Sequence, residues 1–99
     1  MKLKKGVKCG QFARAVMITV ANDVYKDYGK ELVITSMAEG RHSYGSIHFS
    51  ENAIDTRTRY FDDFTKLAVA DDIRTRLGDD FDVVVENNHL HIEYQPKRR

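Results

Sequence analysis

Histidine and carboxylate side chains cluster in two short windows of the sequence. The first window ends in His48 and Asp55, and the second contains Glu86, His89 and His91. Imidazole nitrogens and carboxylate oxygens are ligands of catalytic zinc, which takes three of them from the protein and keeps one position for water. A nearby carboxylate that is not a ligand can then serve as general base. The two windows therefore indicate a metal centre, provided that the fold brings them together.

The second window predicts a β-hairpin with its polar side chains on one face. Two β-rich segments flank the pair Asn87-Asn88, and asparagine tolerates the positive φ values of a two-residue hairpin turn. In this register Glu86 faces His89, and His91 projects from the same side as His89 because side chains alternate along a strand. The opposite face is apolar and is expected in the core; it contains Val83, Val85, Leu90 and Ile92.

Zinc ligands and a base can be assigned from these positions, although a second interpretation stays open. His48, Asp55 and one histidine of the hairpin would bind the metal, which leaves Glu86 as the base. Alternatively, the two hairpin histidines form an exposed cross-strand pair without a metal, which is the commoner role of His-x-His on a strand. The same register brings Asp82 beside Glu93, and we expect these like charges at the solvated end of the hairpin.

Two helices are predicted to support this sheet. Apolar residues between positions 11 and 28 recur at spacings of three and four, and Gly29 can end that helix. The second helix begins after Asp62 or Asp63, either of which can cap it, and ends before Gly78. The first helix is expected to bury Phe12, Val16, Met17, Val20, Ala21 and Val24. The second is expected to bury Phe64, Leu67, Ala68, Ala70, Ile73 and Leu77.

Three further segments, 32–36, 46–49 and 53–57, are predicted to be extended. The first of them is expected to be a buried strand. Together with the hairpin they make a small, mainly antiparallel sheet. The predicted fold class is α+β, with two helices on the apolar face of the sheet and the metal site on the other face.

Length and composition limit the classes of function. A chain of 99 residues with 41% hydrophobic and 31% charged residues is expected to form a single domain over residues 1–99. The formal net charge of +1 gives no overall field that attracts nucleic acid. No segment approaches the roughly 20 apolar residues of a membrane span. No signal peptide is predicted, and Cys9 is the only cysteine, so we expect the chain to be made in a cytoplasm.

The sequence of residues 46–55, Ser-Ile-His-Phe-Ser-Glu-Asn-Ala-Ile-Asp, resembles a family signature. The signature is Ser-x-His-x-x-Gly-x-Ala-x-Asp, found in zinc D-alanyl-D-alanine carboxypeptidases and L-alanyl-D-glutamate endolysin peptidases. Its His and Asp are zinc ligands, which implies this role for His48 and Asp55. Glu51 stands where the signature has glycine, so the turn there must be built differently.

The C-terminal hairpin also resembles these peptidases. These peptidases have an acidic residue followed closely by a third ligand histidine, which looks like Glu86 followed by His89 or His91. The hedgehog signalling domain, which shares the metallopeptidase fold, has a His-x-His on its last strand and a histidine six residues before its first ligand, like His42. This pattern favours His91 as the third ligand. His89 would then bind the oxyanion, and His42 and Arg41 would contact the substrate.

The resemblance implies a zinc peptidase that cuts an amide bond in the stem peptides of bacterial peptidoglycan. Glu86 would be its general base. Such a chain resembles a lysis or entry enzyme of a phage or small virus, which another factor would deliver to the cell wall. The alternative is a non-catalytic binding module of the same fold, stabilised by zinc. A purely structural zinc needs no base and prefers four protein ligands, so Glu86 favours the enzyme.

Overall fold

The computed structural model describes residues 9–37 and 53–96 of the chain. The elements, in chain order, are α1 (Cys9–Asp27), β1 (Ile34–Met37), β2 (Ala53–Arg57), α2 (Asp63–Leu77), β3 (Phe81–Val85) and β4 (His89–Tyr94). The four strands form one sheet in the order β1-β2-β4-β3, and every neighbouring pair is antiparallel. The protein is therefore a small α+β domain, as predicted. The strand predicted at 46–49 lies outside the described residues.

Both helices begin or end at residues that the sequence singled out. Gly29 follows α1 with a φ of 75°, in the left-handed region that favours glycine. Asp62 caps α2 by accepting a hydrogen bond from the Thr65 N–H at 2.7 Å. Gly78 closes α2 with a φ of 88°, and its N–H donates to the Arg74 carbonyl at 3.0 Å. Local chain chemistry thus sets both ends of α2 and the C-terminal end of α1.

The hairpin of β3 and β4 has the predicted register. The paired positions are Phe81 with Tyr94, Asp82 with Glu93, Val83 with Ile92, Val84 with His91 and Val85 with Leu90. The Glu86 N–H donates to the His89 carbonyl at 2.9 Å, which closes the two-residue turn. Leu90 and Ile92 are fully buried, so the apolar face of the hairpin is in the core as predicted.

The core lies between the two helices and this one face of the sheet. Helix α1 contacts α2, β2 and β4, and α2 also contacts β3. The buried residues of this core are Met17, Ala21, Val24, Tyr25, Ile54, Val69, Ala70, Ile73, Val83, Leu90 and Ile92. Both helices therefore cover the same face, which leaves the other face of the sheet free of helices within the described part of the chain.

The predicted buried face of α2 is partly wrong. Phe64 is 81% exposed and Leu67 is 54% exposed, whereas Val69, Ala70 and Ile73 are buried. At about 100° per residue, Phe64 lies on the opposite side of the helix from Ile73. The face that meets the core is therefore rotated away from the first aromatic residue of the helix.

The burial of residues in α1 and β1 also differs from the prediction. In α1, Phe12 is 39% exposed, and Tyr25, which was not predicted in the core, is fully buried. Strand β1 begins at Ile34. Among residues 9–37 and 53–96 it is an edge strand that pairs with β2 alone, whereas the sequence predicted a buried strand. Its residues Thr35, Ser36 and Met37 are exposed because no strand or helix covers that edge in the described residues.

Buried and exposed apolar residues are expected to contribute differently to the free energy of unfolding. Leu90→Ala is expected to lower the free energy of unfolding by about 2–5 kcal/mol, because it empties a fully enclosed site in β4. Phe64→Ala is expected to change it by less than about 0.5 kcal/mol, because the ring is 81% exposed. Urea unfolding of the two variants and the parent protein checks this. A large loss in Phe64→Ala would contradict the described packing of α2.

Candidate functional site

Two of the predicted metal ligands are in contact on the open face of the sheet. Asp55 of β2 is the register partner of His91 of β4. The neighbours Ile54 and Thr56 point into the core, so the alternation along β2 places Asp55 on the other face. Asp55 Oδ1 and His91 Nδ1 are 2.8 Å apart and form a hydrogen bond.

Glu93 is a third member of this cluster, which the sequence prediction missed. Its Oε1 lies 2.9 Å from His91 Nε2, and its Oε2 accepts a hydrogen bond from Gln95 at 2.7 Å. The sequence placed Glu93 beside Asp82 at a solvated end, and the register pair is correct. The Glu93 side chain, however, is only 19% exposed, because it folds against the histidine. The missed signal was the spacing of two residues, which puts Glu93 and His91 on one face.

The carboxylates on both sides of His91 favour its charged form. Burial of the ring lowers the pKa of His91, but the hydrogen bonds to Glu93 and Asp55 outweigh burial and raise the pKa above the usual 6.5. Each ring nitrogen faces a carboxylate oxygen, so both N–H groups of an imidazolium have an acceptor. Metal binding at either nitrogen requires loss of that proton.

His89 lies on the other side of Asp55. Its Nε2 is 3.8 Å from Asp55 Oδ2, and its Nδ1 is 2.7 Å from the side-chain oxygen of Asn88. An Nδ1–H that donates to Asn88 leaves Nε2 as the atom directed at Asp55. Asp55 therefore stands between both histidines that the sequence proposed as third ligand, and each can reach it.

Glu86, the predicted base, lies at the end of the hairpin with its side chain exposed. It faces His89 across the turn, as the hydrogen bond of its N–H to the His89 carbonyl shows. The Lys66 ammonium on α2 donates to the carbonyls of Glu86 at 3.2 Å and Asn87 at 3.0 Å. Helix α2 thus holds the backbone from which the Glu86 carboxylate projects.

The remaining predicted site residues, Arg41, His42 and His48, lie outside the described residues. Within residues 9–37 and 53–96, no group of three or more His, Cys, Asp and Glu side chains is arranged to hold a metal ion. The zinc centre on the open face therefore stays a prediction.

The donor chemistry of Asp55 and His91 can be compared with what zinc requires. Two ligands of a tetrahedral zinc with bonds near 2.0 Å are about 3.3 Å apart, and the two donor atoms here are 2.8 Å apart. A small separation of the two side chains would admit a metal between them. Glu93 on the far nitrogen of His91 matches the carboxylate that commonly orients a zinc-binding histidine. Asp55 and His91 therefore have donor types that zinc takes, at the 2.8 Å spacing of a hydrogen bond.

Two surface cavities that are lined by described residues border this cluster. A cavity of about 80 Å³ is lined by Ser36, Ala53, Ile54, Asp55 and His91. A larger one of about 380 Å³ is lined by Thr35, Arg57, Arg59, Asn88 and His89. Asp55 and the two hairpin histidines therefore lie between a narrow polar cavity and a wider cationic one.

Comparison of the chain with protein-family models, with curated proteins and with solved structures finds no match. In the described part of the chain, no helix combines the length and the apolar character needed to cross a membrane.

The raised pKa of His91 predicts how stability depends on pH in protein stripped of metal. The folded state binds the proton more tightly than the unfolded state, so the contribution of His91 is complete below pH 6.5 and is lost as pH rises through the raised pKa. The lowered pKa of Asp62 acts only near and below pH 3.8 and does not overlap this range. Urea unfolding between pH 6 and 9 is therefore expected to show stability falling with pH. The same slope in His91→Asn would contradict the assignment.

Proposed function

We propose that this protein is a zinc-dependent peptidase that hydrolyses an amide bond in the stem peptides of bacterial peptidoglycan. The contact between Asp55 and His91 carries the proposal, because it joins residues from the two windows that resemble the family's ligand motifs. His48 is the further ligand that the resemblance implies. The resemblance also supplies the substrate class. The face of the sheet that no described helix covers is compatible with an extended peptide.

Bound zinc would lower the pKa of a water molecule toward about 7 and polarise the substrate carbonyl. Glu86 takes the proton from the attacking water and passes it to the leaving amine. Its carboxylate is exposed to solvent, while the bonds of Lys66 to the hairpin turn hold its backbone. Among the described residues, the hydrogen bonds of Glu86 are made by its backbone, so its carboxylate is available for proton transfer.

The other residues of the cluster would bind the zinc or orient the histidine rings. Asp55 and His91 supply ligand atoms, and Glu93 fixes the His91 ring through its far nitrogen. His89 lies on the same face. In its imidazolium form, with Nδ1–H on Asn88, the ring would donate its Nε2–H to the oxyanion that develops during attack. Asn88 sets the ring orientation of His89 by accepting a hydrogen bond from Nδ1.

The proposed setting is lysis or entry by a phage or small virus, in which another factor delivers the protein from the cytoplasm to the wall. The resemblance offers D-Ala-D-Ala and L-Ala-D-Glu as scissile bonds, and another stem-peptide bond is the third possible outcome. Mass analysis of the muropeptides released from sacculi identifies which bond is cut, since the two cleavages leave fragments of different mass.

The test is hydrolysis of purified sacculi by the protein as isolated, after removal of metal by a chelator, and after zinc is added back. About one zinc per chain and activity that is lost with the chelator and restored by zinc are expected. Absence of metal together with absence of hydrolysis in the presence of zinc would overturn the proposal. Zinc binding without hydrolysis would support the non-catalytic binding module instead.

A further inference from the structure

Lys66, near the start of α2, reaches from the helix to the turn of the hairpin. Its ammonium donates to the Glu86 carbonyl at 3.2 Å and to the Asn87 carbonyl at 3.0 Å. These carbonyls belong to the two peptide groups that join Glu86 to Asn88. Because φ and ψ are the only soft backbone dihedrals of a residue, fixing both peptide planes fixes the backbone of Asn87. The ammonium therefore sets how the residues on the two sides of Asn87 are oriented.

The residues on both sides of Asn87 belong to the proposed site. Glu86 is the proposed base, and the Asn88 side-chain oxygen is 2.7 Å from His89 Nδ1. Residues 86–88 are exposed, and segments with few buried contacts open most readily. The bond from the Glu86 N–H to the His89 carbonyl closes the turn at its base. The bonds from Lys66 hold the turn at its tip, where the base and the ring-orienting amide diverge.

The position of Lys66 itself is fixed by the capped end of α2. Its backbone N–H donates to the Asp62 carbonyl at 2.9 Å, and the Asp62 side chain accepts from the Thr65 N–H at 2.7 Å. Val69 and Ala70, three and four residues further along the helix, are fully buried. The aliphatic stem of Lys66 therefore starts on the side of α2 that faces the core. A cation on a fixed helix loses less freedom on bonding the turn than one on a mobile segment.

Arg74, about two turns further along α2, makes a comparable bond to another part of the hairpin. Its guanidinium donates to the Val83 carbonyl at 2.8 Å, in the middle of β3. It also forms an exposed ion pair with Asp71 on the same helix. Both cations connect α2 with the hairpin, Lys66 at the turn and Arg74 in the strand. A comparison of the two separates positioning of the turn from general attachment of the helix.

We propose that Lys66 is a positioning residue of the peptidase, which fixes the hairpin turn so that Glu86 and the His89 ring keep their working orientations. The kinetic part of this inference rests on the proposed peptidase function. Lys66 acts on the base through the backbone of Glu86, and on the ring through Asn88. A misplacement of about 1 Å can cost about 10²-fold in rate, so loss of this contact is expected to lower turnover.

Hydrolysis of sacculi by the full chain with zinc present tests the kinetic effect. Lys66→Met keeps the aliphatic stem and removes the ammonium. It is expected to lower kcat about 10–10²-fold, with KM and zinc content little changed. Lys66→Arg, which keeps a cationic hydrogen-bond donor, is expected to restore most of kcat. Arg74→Met is the matched control and is expected to leave kcat little changed, because its bond is to the strand.

The order of the backbone is measured in the same proteins by nuclear magnetic resonance relaxation of the amides, which does not depend on hydrolysis. In the parent protein, Asn87 and Asn88 are expected to have order parameters near the value of about 0.85 that is typical of rigid backbone. In Lys66→Met they are expected to fall below about 0.6, the range of flexible backbone. In Arg74→Met they are expected to stay high.

An unchanged kcat in Lys66→Met, an equal loss in Arg74→Met, or no recovery in Lys66→Arg would overturn the inference. If Lys66→Met does not fold by circular dichroism, Lys66→Gln replaces it, because glutamine also lacks the charge. An inactive parent protein would remove the peptidase, and the order parameters then decide alone. Values that stay high in Lys66→Met would overturn the positioning role whether or not the parent protein hydrolyses the wall.

Discussion

Glu86→Gln is expected to keep the fold and the zinc content of the protein and to lower wall hydrolysis by about 10²–10⁴-fold. The described contacts of Glu86 are made by its backbone, to the His89 carbonyl and from Lys66, and glutamine preserves them. Only the capacity of the side chain to take and release a proton is lost. Turnover on sacculi and zinc content per chain are measured for the same preparations.

The control is Asp79→Asn, which makes the same change of charge at an exposed turn residue before β3. It is expected to retain full activity. Full activity in Glu86→Gln would remove the proposed base and with it the peptidase mechanism. Loss of zinc in Glu86→Gln would instead make this carboxylate a ligand.

His91→Ala is expected to abolish both zinc binding and hydrolysis, whereas His89→Ala keeps zinc and loses about 10²–10³-fold in turnover. The two histidine rings differ in their hydrogen-bond partners, which is the structural reason for the different expected effects. His91 has the Glu93 carboxylate on its far nitrogen, which makes the imidazole a better ligand, while His89 has the neutral amide of Asn88. His91 is also 2.8 Å from Asp55, and His89 is 3.8 Å from it.

Zinc content measured for the two variants decides between the histidines. Zinc lost from His89→Ala and kept by His91→Ala would reverse the choice of ligand. Zinc lost from both variants would mean that both rings bind it and that the oxyanion is held by another group. Circular dichroism of the chelated proteins shows whether any loss of zinc comes from unfolding.

The sequence predicted the fold best where local chemistry determines it. The Asn87-Asn88 turn fixes the register of the hairpin, and Asp62 with Gly78 sets the length of α2. These features depend on residues a few positions apart, for which turn and cap preferences are strong. The class of the domain and the burial of Leu90 follow from the same local pattern.

The features that the sequence did not predict depend on packing between distant parts of the chain. Phe64 is apolar but exposed, because the side of α2 that meets the core is chosen by contacts with α1 and β3. Glu93 was expected to be solvated, since the sequence shows its like-charged neighbour across the strand but not its folding onto His91. The contact of Asp55 with His91 links residues 36 positions apart, and the pairing of β2 with β4 creates it.

The sheet order β1-β2-β4-β3 places β2 and β4, which carry Asp55 and His91, at its centre. In the part of the chain that the structure describes, each of these strands has a hydrogen-bonded neighbour on both sides, whereas β1 and β3 each have one. Amide hydrogens of the central strands exchange with solvent only when a larger part of the sheet opens. Exchange in heavy water should therefore be slowest along β2 and β4, so that fraying at either edge of the sheet leaves the Asp55–His91 pair assembled.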